Sequence, residues 1–215
     1  MPDNDFCDLT AWLWATPNSR RVIILLEELT LDYTIRPVNI RAGEQFAPEI
    51  ANMNPFAKIP IVAWLATGRR RILFESGAIL MHFADRLGRF LPPDGQQRDY
   101  ALSWTMMAIS GLAPSSGQAH HWHQLAPQKS GIALEHAVRQ VHRAWHALDD
   151  RLRDHEYLAD DYSIADIAAW PWIERHSWTS LQLDVYPHLS RWFKCIGERP
   201  AVQRALKLPQ GIDLD

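Results

Sequence analysis

Apolar positions in the first part of the chain change period twice. Residues 9–15 form an aromatic, apolar run of strand length that stops at Thr16-Pro17-Asn18. From Ser19 the period becomes helical, with Val22, Leu25, Leu26 and Leu29 on one face. Residues 33–39 read as a second strand. Pro37 cannot donate to a ladder, so that strand belongs at a sheet edge. A Gly-containing loop and a short helical stretch (47–53) follow. Two runs, 59–64 and 72–74, then flank Thr67-Gly68 as a hairpin. A helix opening near Glu75 buries Ile79, Leu80, Phe83 and Leu87, and Gly88 is placed to end it. Strand, helix, strand, irregular segment, hairpin and helix make a small α/β unit.

The pattern then becomes helical throughout. Arg89 to Gly95 carries Pro92-Pro93 and Asp94-Gly95 and reads as a linker, giving domains at 1–88 and 96–215. Val138, Val141, Trp145, Leu148 and Leu152 alternate spacings of three and four along one narrow bundle seam. Ser163-Ile-Ala-Asp166 is a capping box with Asp in place of the usual Glu or Gln. The helix it opens is apolar nearly all round, so it should be central, and Pro171 predicts a kink or early stop.

Composition narrows the partners. A net charge of −3 and a pI near 6.4 leave no electrostatic footprint for nucleic acid or an anionic membrane. The basic run Arg69-Arg70-Arg71 follows Gly68 and reads as a solvated hairpin. No apolar run reaches the roughly 18 residues of a membrane span, and the acidic MPDNDF does not read as a signal peptide. Cys7 and Cys195 lie far apart and form no CxxC, which suits a reducing compartment; the expected location is cytoplasmic.

Specific chemistry enters with Asn54-Pro-Phe-Ala-Lys-Ile-Pro60 and Phe74-Glu-Ser-Gly-Ala-Ile-Leu80. Together they resemble the glutathione S-transferase family, in which a cis-proline follows a non-polar residue and a Glu/Gln-Ser pair opens a helix. Thr16-Pro17-Asn18, the Gln45-Phe46 loop and Gly117-Gln118-x-His120-His121 further resemble its bacterial Nu class. The stretch from Tyr162 to Trp172 resembles the family's helical-domain capping box. The resemblance implies a thioredoxin-like N-terminal domain, an all-α C-terminal bundle, a homodimer, and glutathione as co-substrate without a metal.

Each matched residue also has a physical reading. A helix starting at Glu75 offers N–H groups and a positive dipole end to the γ-glutamyl carboxylate. Ser76 adds its N–H and hydroxyl, and the Glu75 carboxylate pairs with the ligand's ammonium. A cis bond at Ile59-Pro60 would turn the Ile59 backbone outward to pair with the cysteinyl unit as an added strand. Gln45 and Lys58 are candidates for the glycyl carboxylate.

Beside the sulfur, the junction supplies only the Thr16 hydroxyl and the Asn18 N–H and amide. Neither is a base, so a thiolate would be held by hydrogen bonds and helix-end potential. An N-cap role for Asn18 is compatible with this. Without a protein thiol, a dithiol cycle is excluded, but bound glutathione could itself attack a disulfide. The Nu class implies that disulfide reduction; conjugation to electrophiles and non-catalytic binding are the alternatives. His136 stands where the Nu pattern tends to carry an arginine, which weakens a second glutathione carboxylate site. His120, His121 and His123 lack a carboxylate or thiolate at ligand spacing and, by the resemblance, would line the mouth of the cleft. His142 and His146 share a helix face and read as a solvated or dimer-facing surface.

Overall fold

The computed structural model describes residues 6–208. The reading of MPDNDF therefore rests almost wholly on residues outside that span, as does the end of the expected helical domain.

Four strands form one sheet in the order β2-β1-β3-β4. β1 (Cys7–Leu13) runs parallel to β2 (Thr34–Pro37) and antiparallel to β3 (Ile61–Ala66), which pairs with β4 (Arg69–Phe74). β2 lies at an edge, where Pro37 loses nothing by lacking an N–H. The β3–β4 turn is the two-residue loop Thr67-Gly68, both with positive φ (51° and 73°), which matches the twist of the hairpin. β4 forms the other edge and exposes its three arginines, so they guard an unpaired ladder. On one sheet face, Trp12, Ile61 and Ala63 pack with Val38, Ile50 and Met53, the last two from α2 (Pro48–Met53).

α1 (Pro17–Glu28) starts two residues before the period suggested, because Thr16 is its N-cap and Pro17 its first residue. β1 correspondingly ends at Leu13, ahead of a tight turn in which the Thr16 N–H donates to the Trp14 carbonyl at 2.7 Å. α3 (Ser76–Leu87) ends as expected at Gly88, whose φ is +62°. The Gly88 and Arg89 N–H groups return to the Asp85 and Ala84 carbonyls, closing a Schellman motif.

Contacts divide the chain into residues 1–83 with 200–215, and residues 84–199. α9 (Pro200–Leu206) thus packs with the α/β unit, against α1. Arg20 of α1, itself buried, donates to the Ala205 and Leu208 carbonyls at the end of α9, the second at 2.7 Å. A cation on helix-end carbonyls satisfies groups that would otherwise lack donors.

The second unit is helical. α4 (Gly95–Met107), a π-helical turn at Ala108–Leu112, α5 (Ala113–His120) and a second π turn at His121–Leu125 succeed one another without a break. Pro114 explains the first π turn: proline has no N–H and crowds the carbonyl four residues back, and a widened turn accommodates it. α6 (Gly131–Asp154) buries Ala137, Val141, Trp145, Leu148 and Leu152. Val138 is half-buried, so Ala137 begins the seam in its place. α7 (Ile164–Glu174) is buried on nearly every side and runs through Pro171 to Glu174, so the proline does not stop it. α8 (Pro187–Gly197) packs against both α6 and α7. Among the described residues no helix is long and apolar enough to cross a membrane.

The expected capping box is present at the start of α7. Ser163 Oγ accepts from the helix and the Asp166 carboxylate accepts from the Ser163 N–H. Asp166 also accepts from the Leu158 N–H at 3.1 Å and from Trp192 Nε1 at 2.7 Å. Full burial pushes its carboxyl up to about 6, and these donors pull the other way.

Candidate functional site

Of the residues singled out in the α/β unit, Thr16 and Asn18 stand at the start of α1 and Glu75 and Ser76 at the start of α3. Thr16 Oγ1 accepts the Ser19 N–H at 3.2 Å and donates to Ser19 Oγ at 3.1 Å, and the Trp14 N–H also reaches Ser19 Oγ. Thr16 is therefore the cap, in place of Asn18, and its hydroxyl belongs to a local ring. Donation to an incoming sulfur would require that proton to turn away from Ser19. Asn18 sits in the first turn, half-exposed.

Glu75 has φ +69°, a left-handed conformation rare for a residue with a Cβ. Its carbonyl accepts the Ile79 N–H at 3.0 Å, so it occupies the cap position of α3 while its side chain stays exposed. Strain of this kind costs about 1 kcal/mol or more and concentrates at functional sites. Ser76, next in line, is buried.

The Ile59-Pro60 bond is cis. Buried Asn54 organises the approach to it, donating from Nδ2 to the Lys58 carbonyl and accepting the Phe56 N–H on Oδ1. The β3 ladder begins only at Ile61, which leaves Ile59 just outside it. Lys58 is exposed, with Nζ 4.2 Å from the centre of the Phe56 ring. Gln45 lies in the single 3₁₀ turn Glu44–Phe46, on a separate segment of the unit. Its Oε1 is buried without a hydrogen-bond partner. An orphaned acceptor needs a donor, so a ligand amide N–H suits it directly; a carboxylate would require the amide to present Nε2.

One residue the patterning missed ties two of these elements together. Arg21, buried in α1, donates from Nη1 to Asn18 Oδ1 at 2.8 Å and to Ser76 Oγ at 3.2 Å. Its signal in the sequence was its place beside Arg20 at the head of the apolar run 22–26, since a charge enclosed in such a helix must find partners.

The thiols lie elsewhere. Cys7 opens β1 and is exposed, whereas Cys195 in α8 has Sγ 3.8 Å from the Tyr157 hydroxyl. In the helical unit, His120 stacks on Trp178 with centroids 3.8 Å apart, and His123 Nε2 lies 3.2 Å from Ser180 Oγ. Burial lowers the His120 pKa. No cluster of three or more His, Cys, Asp or Glu suited to a metal occurs among the described residues. His142 and His146 are exposed, their rings 4.5 Å apart. A cavity of about 620 Å³ within the helical unit is lined by Gln118, Trp122, His136 and Arg139, among others.

The cis bond thus precedes β3, Glu75 and Ser76 stand at the start of α3, and Thr16 and Asn18 stand at the start of α1, all on a thioredoxin-like fold. The chain matches the glutathione S-transferase N-terminal domain over residues 15–86 and the C-terminal domain over residues 104–200. It is 38% identical, over 89% of its length and 91% of the relative's, to the disulfide-bond oxidoreductase YfcG of Escherichia coli. Two solved bacterial glutathione transferases superpose with a TM-score of 0.88. One, from Burkholderia graminis, binds two glutathione molecules per subunit; it is 32% identical, covering 95% of this chain and 89% of its own. The other, from Pseudomonas putida, holds one glutathione disulfide per subunit; it is 31% identical, covering 97% and 94%. The chain belongs to the glutathione S-transferase family.

Proposed function

We propose that this protein is a glutathione-dependent disulfide reductase in which the attacking sulfur belongs to bound glutathione. The observation that carries the reading is the junction after β1, where Thr16 and Asn18 stand and no thiol or base does. The similarity to a disulfide-bond oxidoreductase and to a structure holding glutathione disulfide supports it.

In the proposed arrangement Glu75 takes the ligand ammonium, and Ser76 with the start of α3 takes the γ-glutamyl carboxylate. The Ile59 backbone pairs with the cysteinyl unit, and Gln45 and Lys58 face the glycyl end. Asn18, helped by the start of α1, holds the thiolate. That sulfur attacks one sulfur of a small disulfide; the S–S bond breaks, one half leaves as a thiolate, and a mixed disulfide with glutathione forms. A second glutathione thiolate then attacks the glutathionyl sulfur, giving glutathione disulfide and the second free thiol.

The test is reduction of 2-hydroxyethyl disulfide by glutathione with the wild type, Cys7→Ser/Cys195→Ser and Asn18→Ala. The double cysteine variant should retain full activity, and Asn18→Ala should lose most of it. A folded, glutathione-binding double variant without activity would make a protein cysteine the nucleophile.

We further infer a cytoplasmic homodimer, on the strength of the family resemblance and the acidic, CxxC-free sequence. Light scattering should return about 49 kDa, twice the 24.7 kDa chain mass.

A further inference from the structure

Asn18 and Ser76 are both ambivalent groups. An amide presents an acceptor on one side and a donor on the other, and a hydroxyl donates once while accepting elsewhere. An anionic ligand needs both as donors. Nothing in either residue type decides this, so the decision must come from what holds their other faces.

Arg21 holds both. Its Nη1 donates to Asn18 Oδ1 at 2.8 Å and to Ser76 Oγ at 3.2 Å. A guanidinium has donors and no acceptor, so turning the Asn18 amide over would aim N–H groups at a cation. With Oδ1 committed to Arg21, Nδ2 faces the other way. The Ser76 hydroxyl, accepting from the same cation, must likewise send its proton away from it. Arg21 is 1% exposed, so water does not compete for these acceptors. Burial lowers its pKa to about 9, which leaves it protonated at neutral pH and its field little screened.

We propose that Arg21 is the positioning residue of the site: one buried guanidinium fixes Asn18 and Ser76 as donors toward the thiolate and the γ-glutamyl carboxylate. This rests on the glutathione reading above and adds the device that makes it work. Arg20, its neighbour in sequence, turns the other way to hold α9, so the pair divides between architecture and chemistry.

The experiment measures the pKa of the glutathione thiol bound to the protein, from thiolate absorbance near 240 nm, in wild type, Arg21→Met, Arg21→Lys, Asn18→Ala and Arg21→Met/Asn18→Ala. Arg21→Met should raise the bound thiol pKa by at least one unit and move the acid limb of the reductase profile to higher pH by the same amount. Asn18→Ala should add little to Arg21→Met, because an amide that is no longer oriented has little left to lose. Arg21→Lys keeps the cation and loses the planar donor fork, so it should fold and fall between wild type and Arg21→Met. If both Arg21 variants keep the wild-type pKa while folded, or if Arg21→Met and Asn18→Ala are additive, the inference is overturned. Should Arg21→Met not fold, a wild-type thiol pKa in Arg21→Lys alone overturns it, and an intermediate value supports it. A wild type that binds no glutathione overturns the functional reading and this inference together.

Discussion

The starts of α1 and α7 are built alike and finished differently. Both helices are largely buried, and both are capped by a hydroxyl residue, Thr16 and Ser163. Each also encloses a charge near its start. In α7 that charge is Asp166, which answers the positive end of its helix and is satisfied by donors from Leu158, Ser163 and Trp192. In α1 it is a cation, Arg21, placed where a helix start is already positive. One end is electrostatically closed by its own carboxylate. The other encloses a cation that donates to Asn18 Oδ1 and Ser76 Oγ, the side chains proposed above to meet the ligand. On the reading proposed above, the first end serves folding and the second serves recognition.

The comparison can be broken by mutation. Asp166→Ala takes the acceptor from four buried donors, the Leu158 and Ser163 N–H groups, the Ser163 hydroxyl and Trp192 Nε1, at about 1–3 kcal/mol for each left unsatisfied before relaxation. We expect a loss of about 4 kcal/mol in urea unfolding; a loss below about 1 kcal/mol would mean the knot is not structural. Arg21→Met should cost only about 1 kcal/mol, since it also removes a desolvated cation. Equal costs for the two would erase the distinction.

Titration sharpens the same point. The folded Asp166 carboxyl is raised from 3.8 to about 6, so the folded state binds more protons than the unfolded chain in that window. This group's stabilising protonation is fully present below about 4 and is lost as pH rises through about 6, a change on the order of 3 kcal/mol. The stability of wild type relative to Asp166→Asn should therefore fall from pH 4 to pH 6. A flat difference would contradict the assigned shift.

Glu75 gives the smallest stability effect and the opposite sign. Glu75→Gly relieves the +69° φ and should stabilise the fold by up to about 1 kcal/mol. It should also weaken glutathione binding by about 1.5–3 kcal/mol in calorimetry, through the lost charge-assisted contact. Unchanged affinity would remove Glu75 from the site.

Much of this was legible in the sequence because it is local. The Thr67-Gly68 turn, the Gly88 helix end and the Ser163–Asp166 box each depend on a few neighbouring residues. Strand limits slipped by two residues because Trp14 and Ala15 are apolar yet belong to the turn that delivers Thr16. Arg21 was hidden for a different reason. Periodicity assigns arginine to the surface, and its partner Ser76 lies fifty-five residues away. The return of α9 to α1 was equally invisible, since Ala201, Val202 and Ala205 make too short a pattern to name a distant partner.

That return has a consequence for how the protein is made. Arg20 is synthesised 185 residues before Ala205 and 188 before Leu208, whose carbonyls it clasps. At about 5–20 residues per second, the α/β unit waits on the order of ten seconds for its final helix while the helical unit is synthesised in between. During that interval α1 lacks the partner for the face that α9 will cover. The α/β unit therefore closes only after the helical unit has been synthesised, and that face of α1 stays uncovered until then.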